Sequence, residues 1–216
     1  MKRRDFSRAA TGVAMLSSLA PVATLAQSAR PVAGTDYQVL DARAPVDAPA
    51  GKIEVVEFFW YSCPHCNAFE PALEAWVKKL PKDVVFHRAP VAFRDDFVPQ
   101  QRLYYALDAM GLVDKLHAKV FAAIHVERLN LTKADAIIEW VARQGVDRAK
   151  FVEQFNSFST ATKSSRAAKL QNEYRVEGVP ALGIAGRFYT DGSLARSMER
   201  ALQVTESLMA DVRAGR

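Results

Sequence analysis

The pattern of hydrophobic and polar positions changes along the chain, with some segments predicting β-strands and others predicting α-helices. The segment KIEVVEFFW (residues 52–60) is β-branched and aromatic, which is typical of a buried central strand. In NAFEPALEAWVKKL (67–80) the apolar residues recur three or four apart, which predicts a helix. DVVFHRAPVAF (83–93) predicts a second long strand. The Pro- and Ala-rich lead-in at residues 27–50 is predicted to be irregular, with one short strand at 37–40.

From about residue 98 to residue 174 the pattern is helical. Apolar residues recur at helical spacing in five segments, at residues 101–112, 114–125, 133–145, 147–158 and 160–174. Gly111 and Gly145 are predicted to end two of these helices, and Thr132 and Asp147 are predicted N-caps. Strand character returns in VPALGIAG (179–186) and RFYTDG (187–192), and residues 193–215 predict a closing helix. The pattern predicts an α/β fold interrupted by an all-helical insertion.

The first 26 residues have the three-part layout of a secretory signal peptide. Lys2, Arg3 and Arg4 precede an apolar stretch without charge, and Thr24 and Ala26 suit the −3 and −1 positions of a cleavage site. The stretch is too short and too weakly apolar for a membrane-spanning helix. Because Arg3-Arg4 also resembles a twin-arginine signal, the Sec and twin-arginine routes both stay open. We therefore expect export.

The charge of the chain argues against nucleic acid as a partner. The sequence holds 29 Lys and Arg against 24 Asp and Glu, a formal net charge of +5. Four of these basic residues and one acid lie within residues 1–26, so the mature chain would keep 25 and 23, a net charge of +2. No basic stripe interleaved with aromatic residues is present in the sequence.

Cys63 and Cys66 are the only cysteines, separated by Pro64 and His65. A structural disulfide here would close so small a loop that it would restrict the unfolded chain very little. A metal site normally needs three or four protein ligands, and this pair with His65 falls short. The remaining histidines have no ligand-like spacing and are predicted to be surface or partly buried core residues: His87, His117 and His125. A dithiol/disulfide couple that cycles is the interpretation these observations favour.

The predicted position of the cysteines supports redox chemistry. They lie where a buried strand meets a helix N-terminus, whose free N–H groups and dipole favour a thiolate at Cys63. Cys66 falls one turn into the helix and is expected to be shielded, available to resolve a mixed disulfide. His65 would further stabilise the Cys63 thiolate, and Pro64 suits the first helical turn.

The chain resembles the thioredoxin superfamily and, within it, the DsbA family of periplasmic thiol:disulfide oxidases. CPHC (63–66) matches the redox motif, and GVPALGI (178–184) matches the cis-proline loop, with Val179 and Pro180 facing the cysteines. Glu57, six residues before Cys63, matches the family's buried acid beneath the active site, and Pro71 matches a proline that kinks the active-site helix. The resemblance covers residues 36–213 and implies a thioredoxin fold with an inserted helical domain.

The resemblance also implies a division of the chain and a role for each site residue. The division is a signal peptide at 1–26, a thioredoxin-like domain at 27–97 and 175–216, and a helical insertion at 98–174. The disulfide between Cys63 and Cys66 is the expected redox centre, with Pro64 and His65 tuning it. Glu57 is expected to exchange a proton with Cys66 through water. The expected substrate-contacting residues are Val179, Pro180 and Tyr61.

The partners follow from the same resemblance. It implies a monomer in the periplasm that oxidises unfolded or reduced exported proteins and is recharged by a DsbB-like, quinone-linked membrane protein. No bound cofactor, metal or nucleic acid is expected. Two alternatives stay open: a reductase or isomerase on the same fold, and a metal chaperone that uses both thiolates and His65. The isomerases carry an added dimerisation domain and usually threonine before the cis-proline, so the short lead-in and Val179 favour an oxidase.

Overall fold

The computed structural model describes residues 30–216, and the predicted signal peptide lies outside them. Within this range five strands form one mixed sheet in the spatial order β1-β5-β4-β2-β3. Only β2 and β3 pair in parallel, and the other neighbours are antiparallel. The strands are β1 (Gln38–Val39), β2 (Ile53–Phe59), β3 (Val84–Pro90), β4 (Ala181–Ile184) and β5 (Phe188–Asp191).

Seven helices accompany the sheet in the same range. They are α1 (Pro64–Val77), α2 (Val98–Ala109), α3 (Val113–His125), α4 (Ala134–Arg143), α5 (Arg148–Asn156), α6 (Phe158–Glu173) and α7 (Met198–Arg213), and a 3-10 turn at Asp95–Phe97 precedes α2. Helices α2 to α6 follow one another between β3 and β4, and we call them the helical block. The division of the chain into domains stays a prediction.

Strand β2 is the centre of the sheet, and all seven of its residues are buried. Successive side chains point to opposite faces of a strand. Ile53 and Val55 pack on one face in a core that includes residues of α1 and α7, while Val56 and Phe58 pack on the other face with Tyr174 at the end of α6. Coverage of both faces explains why apolar residues of this strand lie on both faces instead of alternating with exposed polar ones.

Two glutamates interrupt the apolar run of β2, and both are buried. Glu54 is 1% exposed, and its Oε2 accepts hydrogen bonds from the backbone N–H groups of Asp47 at 2.7 Å and Ala48 at 3.0 Å. This carboxylate therefore holds the irregular lead-in against the sheet. Glu57, three residues later, faces the opposite side and belongs to the candidate site.

The helix ends confirm most of the predicted boundaries. Asp147 caps α5, because its side chain accepts from the backbone N–H of Lys150. Gly111 and Gly145 follow helix ends with φ of 65° and 81°, in the left-handed region where glycine is favoured. Thr132 was wrongly predicted as a cap: its hydroxyl donates to Asn130 Oδ1 at 2.6 Å, and α4 begins two residues later, with Lys133 at the N-cap position and no side-chain cap.

The cysteines lie where the sheet meets the helical block. Phe59, Tyr61, Cys63 and Cys66 share one buried cluster with residues of α2, α3, α4 and α5. The site is therefore built from both parts of the fold. No helix among residues 30–216 is long and apolar enough to cross a membrane.

Candidate active site

Cys63 is the N-cap of α1 and Pro64 is its first residue. The Cys63 backbone is extended, with φ −81° and ψ 117°, and its Sγ accepts a hydrogen bond from the backbone N–H of Cys66 at 3.4 Å. Proline suits this position because its missing N–H would have had no intrahelical acceptor. Both cysteines are free thiols, so the structure describes the reduced form.

The surroundings of Cys63 stabilise its thiolate and lower its pKa to about 6. The largest cause is a hydrogen bond from the side chain of Cys66, which outweighs the opposing effect of burial. The backbone N–H groups of Cys66 and His65 contribute next, followed by the charge of His65. These are the interactions expected at a helix N-terminus, where unpaired N–H groups converge on a negative charge.

Cys66 lies in the opposite environment. It is 0% exposed, and burial raises the pKa of its thiol far above the ordinary value. The hydrogen bond to Cys63 and the charges of Cys63 and Glu57 raise that pKa further. Only Cys63 therefore ionises near neutral pH, although just two residues separate it from Cys66.

The cis-proline loop lies beside Cys63, in agreement with the predicted placement. The peptide bond between Val179 and Pro180 is cis, and the Cys63 thiol donates to the Val179 carbonyl at 3.3 Å. Val179 is half-buried, whereas His65 is exposed beside the thiol. The structure thus brings together the two cysteines, His65 and the Val179–Pro180 pair.

Beneath the thiols, Arg88 of β3 gathers three glutamates. Its Nε lies 2.9 Å from Glu57 Oε2, and one terminal nitrogen donates to Glu70 at 2.6 Å and to Glu74 at 2.7 Å. Glu57 is fully buried, and its burial raises its pKa to about 8 although Arg88 opposes the shift. Glu57 therefore holds a proton at neutral pH, as a group that returns a proton to Cys66 requires.

His117 of α3 joins this network from the helical block. Its Nε2 lies 3.3 Å from Glu70 Oε1, and its Nδ1 is 2.8 Å from the Tyr61 hydroxyl oxygen. Burial lowers the pKa of His117 despite the neighbouring Glu70. Burial alone would raise the pKa of Glu70, but the contacts with His117 and Arg88 lower it instead.

The position of Tyr61 corrects one expectation. Its side chain is only 1% exposed, so it does not line an open substrate groove. The ring packs edge-on against Phe59 and Phe121, with centroids 5.1 Å away in both cases. The run of aromatic residues before the cysteines turns inward here, because the turn out of β2 meets the helical block.

His125 of α3 also reaches the site, because its Nε2 lies 2.8 Å from the Tyr61 carbonyl oxygen. Five polar residues at the site were not predicted from the sequence: Glu70, Glu74, Arg88, His117 and His125. Their spacing in the chain carries no signal, because they come from three different elements. Arg88 alone could have been suspected, since a basic residue inside an apolar strand needs a buried partner. Its partner stands directly opposite on the parallel neighbour, where Glu57 pairs with Arg88. Among residues 30–216 no three His, Cys, Asp or Glu side chains form a group that could hold a metal ion.

One ionisable thiol and one buried thiol, side by side under a cis-proline loop, define a class of protein: the thioredoxin-fold thiol:disulfide oxidoreductases. Comparison with known proteins narrows this class. The sequence model of the DSBA-like thioredoxin domain matches residues 82–203. The chain belongs to the DsbA family, and the predicted resemblance and fold class are confirmed.

The similarity extends over nearly the whole chain. A thiol:disulfide interchange protein DsbA of Burkholderia cepacia is 44% identical over 200 residues, which is 92% of this chain and 94% of the relative. DsbA of Bordetella parapertussis is 44% identical over 216 residues, covering 99% of this chain and all of the relative. The crystal structure of Pseudomonas aeruginosa DsbA superposes with a TM-score of 0.82 at 38% identity, covering 86% of this chain and 96% of that one.

The two thiols are expected to differ in reactivity. Because the pKa of Cys63 is about 6 and that of Cys66 is far higher, a thiol-alkylating reagent should modify Cys63 at mildly acidic pH. Below pH 6 the rate should fall by about tenfold per pH unit, as the thiolate fraction does. Mass spectrometry of the reduced protein locates the label, and Cys66→Ser controls for the remaining thiol. Equal labelling of both cysteines would contradict the assignment.

The raised pKa of Glu57 predicts a pH-dependent cost of folding. Between the ordinary value of 4.5 and the native value of about 8 the folded protein binds more protons than the unfolded chain, so its stability should fall as pH rises through this window. Glu57→Gln removes the titrating group. From pH 5 to pH 8 the free energy of unfolding should therefore fall less in the variant than in the wild type. The difference should be a few kcal/mol at most, since one pKa unit is about 1.4 kcal/mol. Urea denaturation of the reduced proteins measures this difference. The titration of Cys63 cancels in it, because the wild type and the variant share that thiol. Glu139→Gln, on the exposed surface of α4, is the control. Parallel pH profiles of Glu57→Gln and the wild type would be evidence for a charged Glu57.

Proposed function

We propose that this protein is an exported thiol oxidase that donates its Cys63–Cys66 disulfide to reduced client proteins in the periplasm. The observation that carries the proposal is the contrast between the two thiols, with a pKa of about 6 at Cys63 and a strongly raised one at Cys66. A fold that stabilises the Cys63 thiolate stabilises the reduced form, and its disulfide is correspondingly oxidising.

The first step is attack by a client thiolate on Cys63 Sγ of the oxidised enzyme. The bond between Cys63 and Cys66 breaks, a client–Cys63 mixed disulfide forms, and Cys66 leaves as a thiolate. Attack at Cys63 is supported by accessibility, since Cys63 is 7% exposed at the end of α1 and Cys66 is 0% exposed.

Cys66 then needs a proton, because burial disfavours its thiolate. Glu57 is suited to supply it: it is protonated at neutral pH, and its charge acts on Cys66. The proton would pass through water, after which the Glu57 carboxylate pairs with Arg88 at 2.9 Å. Glu57 therefore acts as the general acid of this half-reaction.

In the second step another client thiolate attacks the client sulfur of the mixed disulfide. The client disulfide forms, and Cys63 leaves with the electron pair. A leaving thiol departs faster when its pKa is lower, so the environment of Cys63 accelerates release of the oxidised client. The client has lost two electrons, which the reduced enzyme now holds in its two thiols.

Val179 and Pro180 are proposed to contact the client beside Cys63. The 3.3 Å contact between Cys63 Sγ and the Val179 carbonyl supports this role, because a chain bound at Cys63 must pass this loop. His65, exposed next to the thiol, is proposed to stabilise the thiolate rather than to bind the client.

Turnover needs an electron acceptor that reoxidises the dithiol. We propose a DsbB-like, quinone-linked membrane protein, on the family resemblance, and no bound cofactor. The periplasmic location rests on the N-terminal sequence pattern and on the relatives named DsbA.

The two-step mechanism predicts which variant traps a client. Cys66→Ser, loaded at Cys63 with a thionitrobenzoate leaving group, should react with a reduced single-cysteine client and retain it as a stable mixed disulfide. Cys63→Ser, loaded in the same way, should react far more slowly because Cys66 is buried. Release of thionitrobenzoate gives the rates, and non-reducing electrophoresis shows the adduct. Comparable trapping by both variants would exclude Cys63 as the attacked sulfur.

A second prediction separates an oxidase from an isomerase. Residues 30–52 join the main sheet through β1 and through the hydrogen bonds of the Glu54 carboxylate to the backbone of Asp47 and Ala48, which supports the proposal of a monomer. We expect a monomer by light scattering that rapidly oxidises reduced, unfolded ribonuclease but rescues scrambled ribonuclease poorly. Parallel assays under one glutathione buffer make the comparison. A stable dimer with strong unscrambling activity would place the protein among the isomerases.

A further inference from the structure

Two histidines of α3 hold Tyr61 at opposite ends. The Tyr61 hydroxyl oxygen lies 2.8 Å from His117 Nδ1, and the Tyr61 carbonyl oxygen lies 2.8 Å from His125 Nε2. Eight residues, or about two helical turns, separate the histidines, so both reach the same side of α3. Tyr61 itself stands in the short turn between β2 and α1, two residues before Cys63.

The chemistry of the acceptors fixes the direction of these hydrogen bonds. A carbonyl oxygen only accepts, so His125 carries its proton on Nε2 and donates it to Tyr61. Neutral His117 directs Nε2–H towards Glu70 Oε1 at 3.3 Å, which leaves Nδ1 to accept from the Tyr61 hydroxyl. Tyr61 is 1% exposed and His117 is 4% exposed, so breaking their bond would leave buried polar groups without water.

The turn held in this way determines where the Cys63 thiol lies. The Cys63 N–H donates to the carbonyl of Trp60 at 3.0 Å, so the turn folds back on itself across Tyr61. Cys63 Sγ accepts a hydrogen bond from the Cys66 N–H at 3.4 Å, an ordinary length for an acceptor as large as sulfur. A small displacement of the turn would weaken the interaction between the thiolate and the first turn of α1, because charge–dipole interactions fall off within that turn.

We propose that His117 and His125 are positioning residues of the thiol exchange. They hold Tyr61, and through it the turn that aims Cys63 Sγ at the N-terminus of α1. Neither histidine touches a thiol, and the helical block thereby takes part in setting the thiolate population of Cys63. The inference rests on the proposed oxidase function, whose rate and equilibrium depend on that thiolate.

His117 also has charged and titratable neighbours on every element around it. These are Glu70 and Glu74 on α1, Arg88 on β3, Tyr61 in the turn and Tyr104 on α2. A substitution of His117 would therefore disturb the ionic network beneath Cys66 as well as the turn. The decisive variants are better placed at Tyr61 and His125.

The test compares variants that remove one hydrogen bond each. Tyr61→Phe loses only the hydroxyl, and His125→Phe loses the donor while keeping a ring to stack on Phe121. His125→Gln restores a donor at the position of Nε2. Tyr104→Phe is the matched control, since Tyr104 belongs to the same aromatic cluster but its hydroxyl makes no hydrogen bond within residues 30–216.

The readouts are the pH dependence of thiolate ultraviolet absorbance in the reduced protein and its equilibrium constant with glutathione. Tyr61→Phe and His125→Phe should raise the pH midpoint of Cys63, and a rise of about one unit would lower the thiolate fraction about tenfold at acidic pH. The disulfide should become less oxidising to match, with a tenfold change equal to about 30 mV. His125→Gln should lie close to the wild type, and Tyr104→Phe should match it.

The outcomes separate the positioning role from a structural one and from the oxidase proposal. Unchanged midpoints in Tyr61→Phe and His125→Phe would overturn the inference, as would an equal shift in Tyr104→Phe or no recovery in His125→Gln. If Tyr61→Phe does not fold, the comparison of His125→Phe with His125→Gln decides the question. A wild type whose Cys63 titrates at the ordinary pKa of a thiol would instead defeat the proposed function, independently of any difference between variants.

Discussion

A single buried positive charge, the guanidinium of Arg88, organises the region beneath the cysteines. It binds Glu57 from the central strand and Glu70 and Glu74 from the active-site helix, and so connects β2, β3 and α1. Three carboxylates around one cation leave an excess of negative charge that a buried site does not tolerate. The most buried member, Glu57, resolves the conflict by keeping a proton. Burial is the largest cause of the raised pKa of Glu57, the charges of Glu70 and Glu74 add to it, and Arg88 opposes it. The protonated Glu57 that results is the acid we propose for thiol exchange.

The two thiols also differ because of their local environments. Cys63 and Cys66 belong to one helical turn, yet one occupies the cap position and the other the interior of the turn. The backbone N–H groups of His65 and Cys66 at the start of α1 lack intrahelical acceptors, and Cys63 Sγ is placed to interact with both. Cys66 receives none of this help and is enclosed by the helical block. The asymmetry of the couple thus follows from helix geometry and burial.

Local patterns in the sequence predicted the elements and the two thiols but not the network that supports them. β2 and the helices could be predicted because the spacing of their apolar residues is visible within one short segment. Asp147 could be predicted because an N-cap acts on the helix that directly follows it. Glu57, Val179 and Pro180 could be singled out as candidate site residues only through the family resemblance. His117 looked like an ordinary core histidine because its partners, Tyr61 and Glu70, lie 56 and 47 positions earlier in the chain. Thr132 failed as a cap because Lys133 occupies the N-cap position of α4, and the Thr132 hydroxyl donates to Asn130 instead of accepting from a helix N–H.

The two glutamates of β2 also determine how the strand aligns with its neighbours. Its apolar side chains line both faces, so hydrophobic burial alone would permit several registers of pairing. A slip of one residue would exchange the faces of Glu54 and Glu57, and a slip of two would carry them past the backbone of Asp47 and the side chain of Arg88. Either error would leave a buried carboxylate without its partner. Glu57 is thus both a proposed catalytic acid and a marker of register, and the sheet cannot misalign without disabling the site.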